Sequence, residues 1–428
     1  PTAYRRQRQM CIRDSYCTST ITRAVRWLMR SVLHATPLSG TARLTVVDPL
    51  WGRAHPVVLD RWPVGAPWEA ASEPGAAAPV RKRRRRAQDV PEPRRADDPY
   101  CDAELLAQCA QEVRAFAMAA ENTPWWTRRA DVRCIPGWTY EAAVAPTDRL
   151  LANASAEQVS TPLDTSAERA ALLQAPRSAS LYTDLLPARG LPDGWAGLES
   201  LVRRAGGVDL VLIAPPWPNR SAARALDAGT VSSYETLTDL YDVWRLRPAL
   251  ESLLATAPDG GAPLVALWVT NHPKVRAFAE EKFLPGFGLG VLGAWAWLKV
   301  AADEPHAGEP LLSLRQPAHR RPYELLLLAQ RGATGSVADT PRHVVASAAL
   351  AHSQKPDLRE LLLQEHGRRG GRGRVVVELF ARHAPSAPDD AANGQRHGWH
   401  ISVGKEAAKF DVVPREAATD ADAFAAPL

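Results

Sequence analysis

Two adjacent prolines, Pro215 and Pro216, end the apolar run Val-Asp-Leu-Val-Leu-Ile at residues 208–213. Neither carries a backbone N–H and both hold φ near its fixed value, so no central strand continues through them. The chain must leave a sheet there, and it leaves stiffly, because a residue before proline is pushed to extended backbone. The same grammar recurs downstream. Strand candidates at 208–213, 263–269, 289–300, 323–329, 344–348 and 375–381 alternate with helix candidates at 236–256, 274–283 and 357–366. Alternation of this kind predicts an α/β, Rossmann-like fold: a mostly parallel sheet with helices on both faces, binding ligands beyond the carboxyl ends of its strands. The tetrapeptide Ala214-Pro215-Pro216-Trp217 lies at such an end.

Ahead of that region the composition changes several times. Residues 1–40 read as a disordered leader, and residues 1–34 are Arg-rich with Asp14 as the single acid. A solvated leader fits this composition, and so does an organellar transit peptide. Residues 41–70 form a short segment with two strand-like runs, at 44–47 and 56–59, around the turn Asp48-Pro49-Leu50-Trp51. A linker rich in Pro, Ala and Arg follows over 71–99. Within it, Arg81-Lys82-Arg83-Arg84-Arg85-Arg86 reads as a nuclear-import signal, a phosphate-binding patch or a solvated charge run. Nuclear import is the expected role, with an organelle as the alternative if the leader is a true transit peptide.

A small helical domain is expected over 100–174. Leu105, Leu106, Cys109, Val113, Phe116 and Ala117 recur at helical spacing, Trp125, Trp126 and Trp138 offer apolar anchors, and 142–175 reads as a helical connection. The main domain then runs over 175–410, with a disordered tail at 411–428. Lys and Arg total 52 against 47 Asp and Glu, and this excess of +5 suits a nucleic-acid partner without requiring one. The five cysteines are odd in number and form no C-x-x-C pair, so neither a disulfide framework nor a zinc site is expected. His397-Gly398-Trp399-His400 has a metal-like spacing but no supporting ligands, and no metal is expected. No apolar stretch is long enough to suggest a membrane span.

Six segments together carry a resemblance. They are Ala-Pro-Pro-Trp-Pro-Asn-Arg-Ser at 214–221, Leu-Trp-Val-Thr-Asn at 267–271 and Ala-Trp-Ala-Trp-Leu-Lys-Val at 294–300. His-Arg-Arg-Pro-Tyr-Glu at 319–324, His-Ser-Gln-Lys-Pro at 352–356 and Glu-Leu-Phe-Ala-Arg at 378–382 complete the set. In order and spacing the chain resembles the eukaryotic adenosine N6-methyltransferases of the messenger-RNA seventy-kilodalton-subunit type, nearest the methyltransferase-like protein 4 branch. The resemblance implies a permuted class I methyltransferase fold, in which the catalytic loop precedes the donor-binding strand. It also implies S-adenosylmethionine as cofactor and an adenine in RNA (small nuclear or messenger) or DNA as target, the chain acting as a monomer or paired with a related subunit.

The chemistry explains the residue types at 214–217. An exocyclic amino nitrogen is a poor nucleophile because its lone pair is delocalised into the ring. Two acceptors on its N–H groups localise that pair; in the family one is an acidic or amide side chain at the first position and the other the first proline's carbonyl. The aromatic residue packs on the extruded base. Here Ala214 occupies the first position, and its side chain accepts nothing. A non-catalytic descendant that binds nucleic acid or acts as a scaffold subunit is therefore the alternative.

The resemblance assigns further roles. Asp184 and Leu185 would address the donor's adenine, Lys355 its carboxylate, Glu378 the donor-binding strand, and Arg382 and His383 the tail or ribose. Lys405 stands where relatives usually have Asn for the ribose hydroxyls, a second departure. Asn219, Arg220, Lys299, Arg320 and Arg321 would flank the nucleic acid. Trp295 and Trp297 read as core or as stacking platforms, and the basic segment at 367–374 as an RNA contact or a plain loop.

Overall fold

The computed structural model describes residues 43–47, 54–57, 103–119, 150–164, 169–218, 236–256, 261–301, 306–314, 321–333, 343–348, 355–366, 374–383, 398–407 and 409–414. The expected leader, the linker with its basic block at 81–86, and most of 367–374 lie outside these residues.

Five strands precede the main alternation: β1 Arg43–Val47, β2 Ala54–Val57, β3 Leu150–Asn153, β4 Val159–Asp164 and β5 Arg169–Gln174. The next five are β6 Ser178–Tyr182, β7 Leu210–Ile213, β8 Leu264–Val269, β9 Leu289–Val300 and β10 Tyr323–Arg331. The last four are β11 His343–Ala348, β12 Val375–Leu379, β13 Trp399–Gly404 and β14 Val412–Pro414. The helices are α1 Ala103–Ala119, α2 Trp195–Arg204, α3 Arg247–Ala255, α4 Pro273–Phe278 and α5 Arg359–His366.

Eleven strands form one sheet in the order β2-β1-β11-β9-β10-β8-β7-β12-β13-β6-β3. Pairing is parallel from β8 through β7, β12 and β13 to β6. On the other side β10 runs antiparallel between β8 and β9, and β9, β11 and β1 are parallel again. The mostly parallel, helix-flanked arrangement expected from the sequence is what forms.

The central strands β7 and β8 are apolar and buried on both sides, as a two-sided sheet requires. Val375, Val377 and Leu379 join one core with Val211, Ile213, Leu267 and Ile401, covered by Leu198 and Val202 of α2 and Leu250 and Leu253 of α3. Leu210, Leu212, Trp268, Trp295, Trp297 and Val376 face the other way, against Leu361, Leu362 and Leu363 of α5. Trp295 and Trp297 are 4% and 2% exposed, so they are core residues and not stacking platforms.

The centre of the sheet sets the site. β7 is followed by β8 on one side, while β12 is followed by β13 on the other. The chain thus diverges at the β7–β12 seam, the topological switch point where open α/β sheets take ligands. The seam is pinned at its start by the Val375 N–H donating to Asp209 Oδ2 at 2.8 Å. At its end the Ala214 N–H donates to the Leu379 carbonyl at 3.2 Å.

Two expectations fail. The pattern at 142–175 predicts a helical connection, but its described residues form β3, which extends the large sheet, and the hairpin β4–β5. The hairpin is joined by β14, within the predicted tail. Alanine and leucine give helix propensity to Arg-Ala-Ala-Leu-Leu-Gln in β5, but pairing on both sides outweighs it.

The segment at 41–70 also belongs to the large sheet. β1 pairs in parallel with β11, burying Leu44, Val46 and Val47, and Thr45 hydrogen-bonds His343 at 2.9 Å. Leu44→Ala should therefore destabilise the protein by about 2–4 kcal/mol in chemical denaturation. An unchanged midpoint would show that β1 is dispensable to the core.

Candidate active site

Ala214-Pro215-Pro216-Trp217 leaves the end of β7 and folds over the end of β8. The Trp217 indole N–H donates to the Trp268 carbonyl at 2.8 Å, and the ring, 4% exposed, meets Phe278 edge-on at 6.5 Å. Its indole is thus part of the core rather than a free platform. The Pro215 carbonyl accepts from the Trp217 N–H at 2.8 Å, and the Pro216 carbonyl from the Leu237 N–H at 2.8 Å. A carbonyl has two lone pairs, so Pro215 keeps one acceptor position. Ala214 is half-buried against the α5-side core and adds none.

Beside this loop, β12 turns sharply. Phe380 adopts φ +63°, a left-handed conformation that costs a side-chain-bearing residue about 1–2 kcal/mol. Gly404, at the end of β13, has φ +149°, and a Cβ there would approach Phe380 Cα to 3.3 Å. The two strand ends therefore meet backbone to backbone at Phe380 and Gly404, with no room for a side chain between them.

The rim around this junction is charged and paired. Asp184, past the end of β6, accepts from the Leu186 N–H at 2.9 Å and lies 3.4 Å from Lys405 Nζ. Leu185 is buried, so its side chain packs into the core. Arg382 bonds Glu406 at 2.6 Å, and His383 pairs with Asp411. Burial alone would lower the His383 pKa, but the Asp411 carboxylate outweighs it and raises it. The structure thus brings Asp184, Lys405, Arg382 and His383 together at one edge, with Glu406 and Asp411 as partners that no sequence signal marks.

Glu378 lies on β12 beneath this rim, with a quarter of its side chain accessible. His400 Nε2 is 3.8 Å away, and Ser402 Oγ lies 3.0 Å from the same nitrogen. Burial pushes the Glu378 carboxyl up to about 7 against the pull of Arg359. Arg359 itself is claimed by Asp357, which it holds at about 2 although burial opposes this.

Lys355 sits apart from the rim. Its ammonium lies 5.2 Å from the Trp268 ring centroid and pairs with Glu324, which also takes Lys299. Burial would raise the Glu324 pKa, but these two lysines together hold it at about 2. The resemblance puts Lys299 at the nucleic acid, and here it shares Glu324 with the expected donor anchor. Arg321 is half-buried just before β10, whereas Asn219, Arg220 and Arg320 lie outside the described residues.

A mostly parallel sheet with the Pro-Pro loop and the Phe380–Gly404 junction on either side of its switch point is a Rossmann-like methyltransferase fold. Residues 208–396 match the MT-A70 family model. Over this segment the chain is similar to the MT-A70 family, and METTL4 proteins are among its relatives. It is similar to N6-methyladenosine RNA methyltransferase MTA1 of Pyricularia oryzae, with 33% identity over 220 residues, 49% of this chain and 54% of that protein. It is also similar to the human N(6)-adenine-specific methyltransferase METTL4, with 28% identity over 249 residues, 56% of this chain and 43% of that protein. The chain spans about half the length of these curated relatives. Among solved structures, M1.HpyAVI in complex with SAM aligns at 11% identity over 54% of this chain and 95% of its own, with a TM-score of 0.29.

The raised Glu378 pKa has a stability consequence. In the unfolded chain the carboxyl titrates near 4.5, and in the folded chain near 7. The stabilisation is therefore complete below about pH 4.5 and is lost as pH rises through about 7. Glu378→Gln should raise the melting temperature relative to the unsubstituted protein at pH 8 and match it near pH 4.5. Equal differences at both pH values would contradict the assignment.

Proposed function

We propose that this chain is an S-adenosylmethionine-dependent methyltransferase acting on the N6 amino group of adenine in nucleic acid, RNA foremost and DNA as the second substrate. The observation that carries the reading is the loop Ala214-Pro215-Pro216-Trp217 beside the Phe380–Gly404 junction, across the β7–β12 seam. Support also comes from the names of the two relatives, an N6-methyladenosine RNA methyltransferase and an N(6)-adenine-specific methyltransferase.

When bound, the donor supplies a methyl group on a sulfonium. The residues of this chain do the rest. Asp184 accepts from the donor's adenine amino group, while Lys405, paired with it at 3.4 Å, can donate to ribose oxygens. Lys355 is the anchor for the donor's carboxylate, a role in which it shares its charge with Glu324. The Pro215 carbonyl uses its remaining lone pair on the target amino group. Lys355→Ala should weaken donor binding by about 1.5–3 kcal/mol in calorimetry; an unchanged dissociation constant would remove Lys355 from the donor site.

Ala214 favours a second reading, a methyltransferase fold retained for binding or scaffolding. One substitution separates the two. Losing a preorganised hydrogen-bonding group that stabilises developing charge costs about 100- to 1,000-fold in rate. Ala214→Asp should therefore raise transfer of labelled methyl to adenosine-containing oligonucleotides, by up to this factor where no other group fills the vacant place, and Ala214→Asn by less. If Ala214→Asp binds the donor and transfers nothing to any adenine, the scaffold reading stands.

A further inference from the structure

The reaction loop lacks a side-chain acceptor at 214, yet a neighbouring loop carries one. Asn271 follows β8, the strand beside β7, with Ile213 and Leu267 in register. The loop is drawn towards that strand end by the bond from Trp217 to the Trp268 carbonyl. Asn271 therefore lies at the same sheet edge as Pro215 and Pro216.

The orientation of its amide is set by chemistry. Asn271 Nδ2 donates to the Tyr323 carbonyl at the start of β10. Only the nitrogen can donate to a carbonyl, so the amide cannot be turned over without losing that bond, and Oδ1 points away from Tyr323. Oδ1 is shielded from water and has no hydrogen-bond partner among the described residues. A buried acceptor left unmade costs about 1–3 kcal/mol, and such a group calls for a reason.

We infer that Asn271 Oδ1 accepts one N–H of the target adenine's amino group, taking the place of the side chain that Ala214 lacks. The inference rests on the methyltransferase reading and assigns that site a residue of its own. The Pro215 carbonyl takes the other N–H. With both engaged, the nitrogen lone pair is localised and forms the new N–C bond to the methyl carbon of a methylsulfonium donor. The electrons of the breaking S–C bond stay on sulfur, which leaves as a neutral thioether, and the methylated nitrogen releases one proton to solvent. Asn271 is the weaker acceptor of the two possible types, an amide where a carboxylate would do more. The unsubstituted chain should accordingly turn over slowly rather than not at all.

The test has two arms. In the first, affinity is measured for a short oligoadenylate and for the same oligonucleotide built from purine riboside, which lacks the amino group. The unsubstituted protein should prefer the oligoadenylate by about tenfold, the worth of one such hydrogen bond, and Asn271→Leu, checked for folding by its melting temperature, should abolish that preference. If Asn271→Leu does not fold, the preference of the unsubstituted protein decides this arm alone. In the second, methyl transfer is compared for Asn271→Leu in the Ala214 and the Ala214→Asp backgrounds. Asn271→Leu should cost about 100-fold in the first background and no more than about tenfold in the second, where the introduced carboxylate supplies the acceptor. Equal losses in both backgrounds, or equal affinities for the two oligonucleotides, would overturn the inference and leave Asn271 a structural residue. A preference for oligoadenylate that Asn271→Leu removes, without transfer in any variant, would overturn the methyltransferase reading and uphold the Asn271 contact.

Discussion

The parallel pairing of β7 with β12 is the interaction on which the site depends. These strands lie far apart in sequence, and each is buried on both sides. Asp209 fixes the start of β12 and the Leu379 carbonyl fixes the start of the reaction loop. Because β7 leads away to β8 and β12 leads away to β13, the chain diverges at this seam, the topology at which open α/β sheets take ligands. Shifting this register by one residue would turn Glu378 into the α2–α3 core and Leu379 towards the polar side, so burial enforces the alignment. The left-handed turn at Phe380 and the glycine at 404 then bring the donor-side backbone close.

Charge is arranged around that seam in pairs. Lys405 with Asp184, Arg382 with Glu406 and His383 with Asp411 link the ends of β6, β12 and β13 to the segments that follow them. The first pair is about half exposed and is worth little to stability. Its weight lies elsewhere: a lysine beside Asp184 offsets the carboxylate's charge at this rim. Lys299, Glu324 and Lys355 form a separate strip over Trp268 and Trp297, where a carboxylate between two ammonium groups stays ionised. Lysine at 355 therefore serves the sheet edge by geometry as well as any ligand.

Much of the fold is legible in the sequence because its strands are continuous apolar runs. The apolar run at 289–300 predicts a strand with the bounds that form, and the prolines mark the end of β7. What escapes depends on distant partners. The strand-like run at 44–47 is visible, but its pairing with β11 joins residues almost three hundred apart, and no local pattern encodes that. Residues 150–174 carry helix-forming alanines and leucines and become strands through tertiary pairing. In the site, Ala214, Asp184 and Lys405 stand out as residue types. The ion-pair partners of Arg382 and His383 do not, since Glu406 and Asp411 carry no motif of their own. Asn271 lies within a recognised segment, but only its fixed amide and unpartnered oxygen give it a role.

The central claim is that the edge over β6, β12 and β13 receives a methyl donor next to the loop at 214–217. A crystal structure of the protein with the demethylated donor, S-adenosylhomocysteine, tests it most directly. The ligand's nucleoside should lie against Asp184 and Gly404, with its sulfur turned towards Pro215 and Asn271. Ligand bound elsewhere on the chain, or an empty edge in crystals grown at saturating ligand, would contradict it.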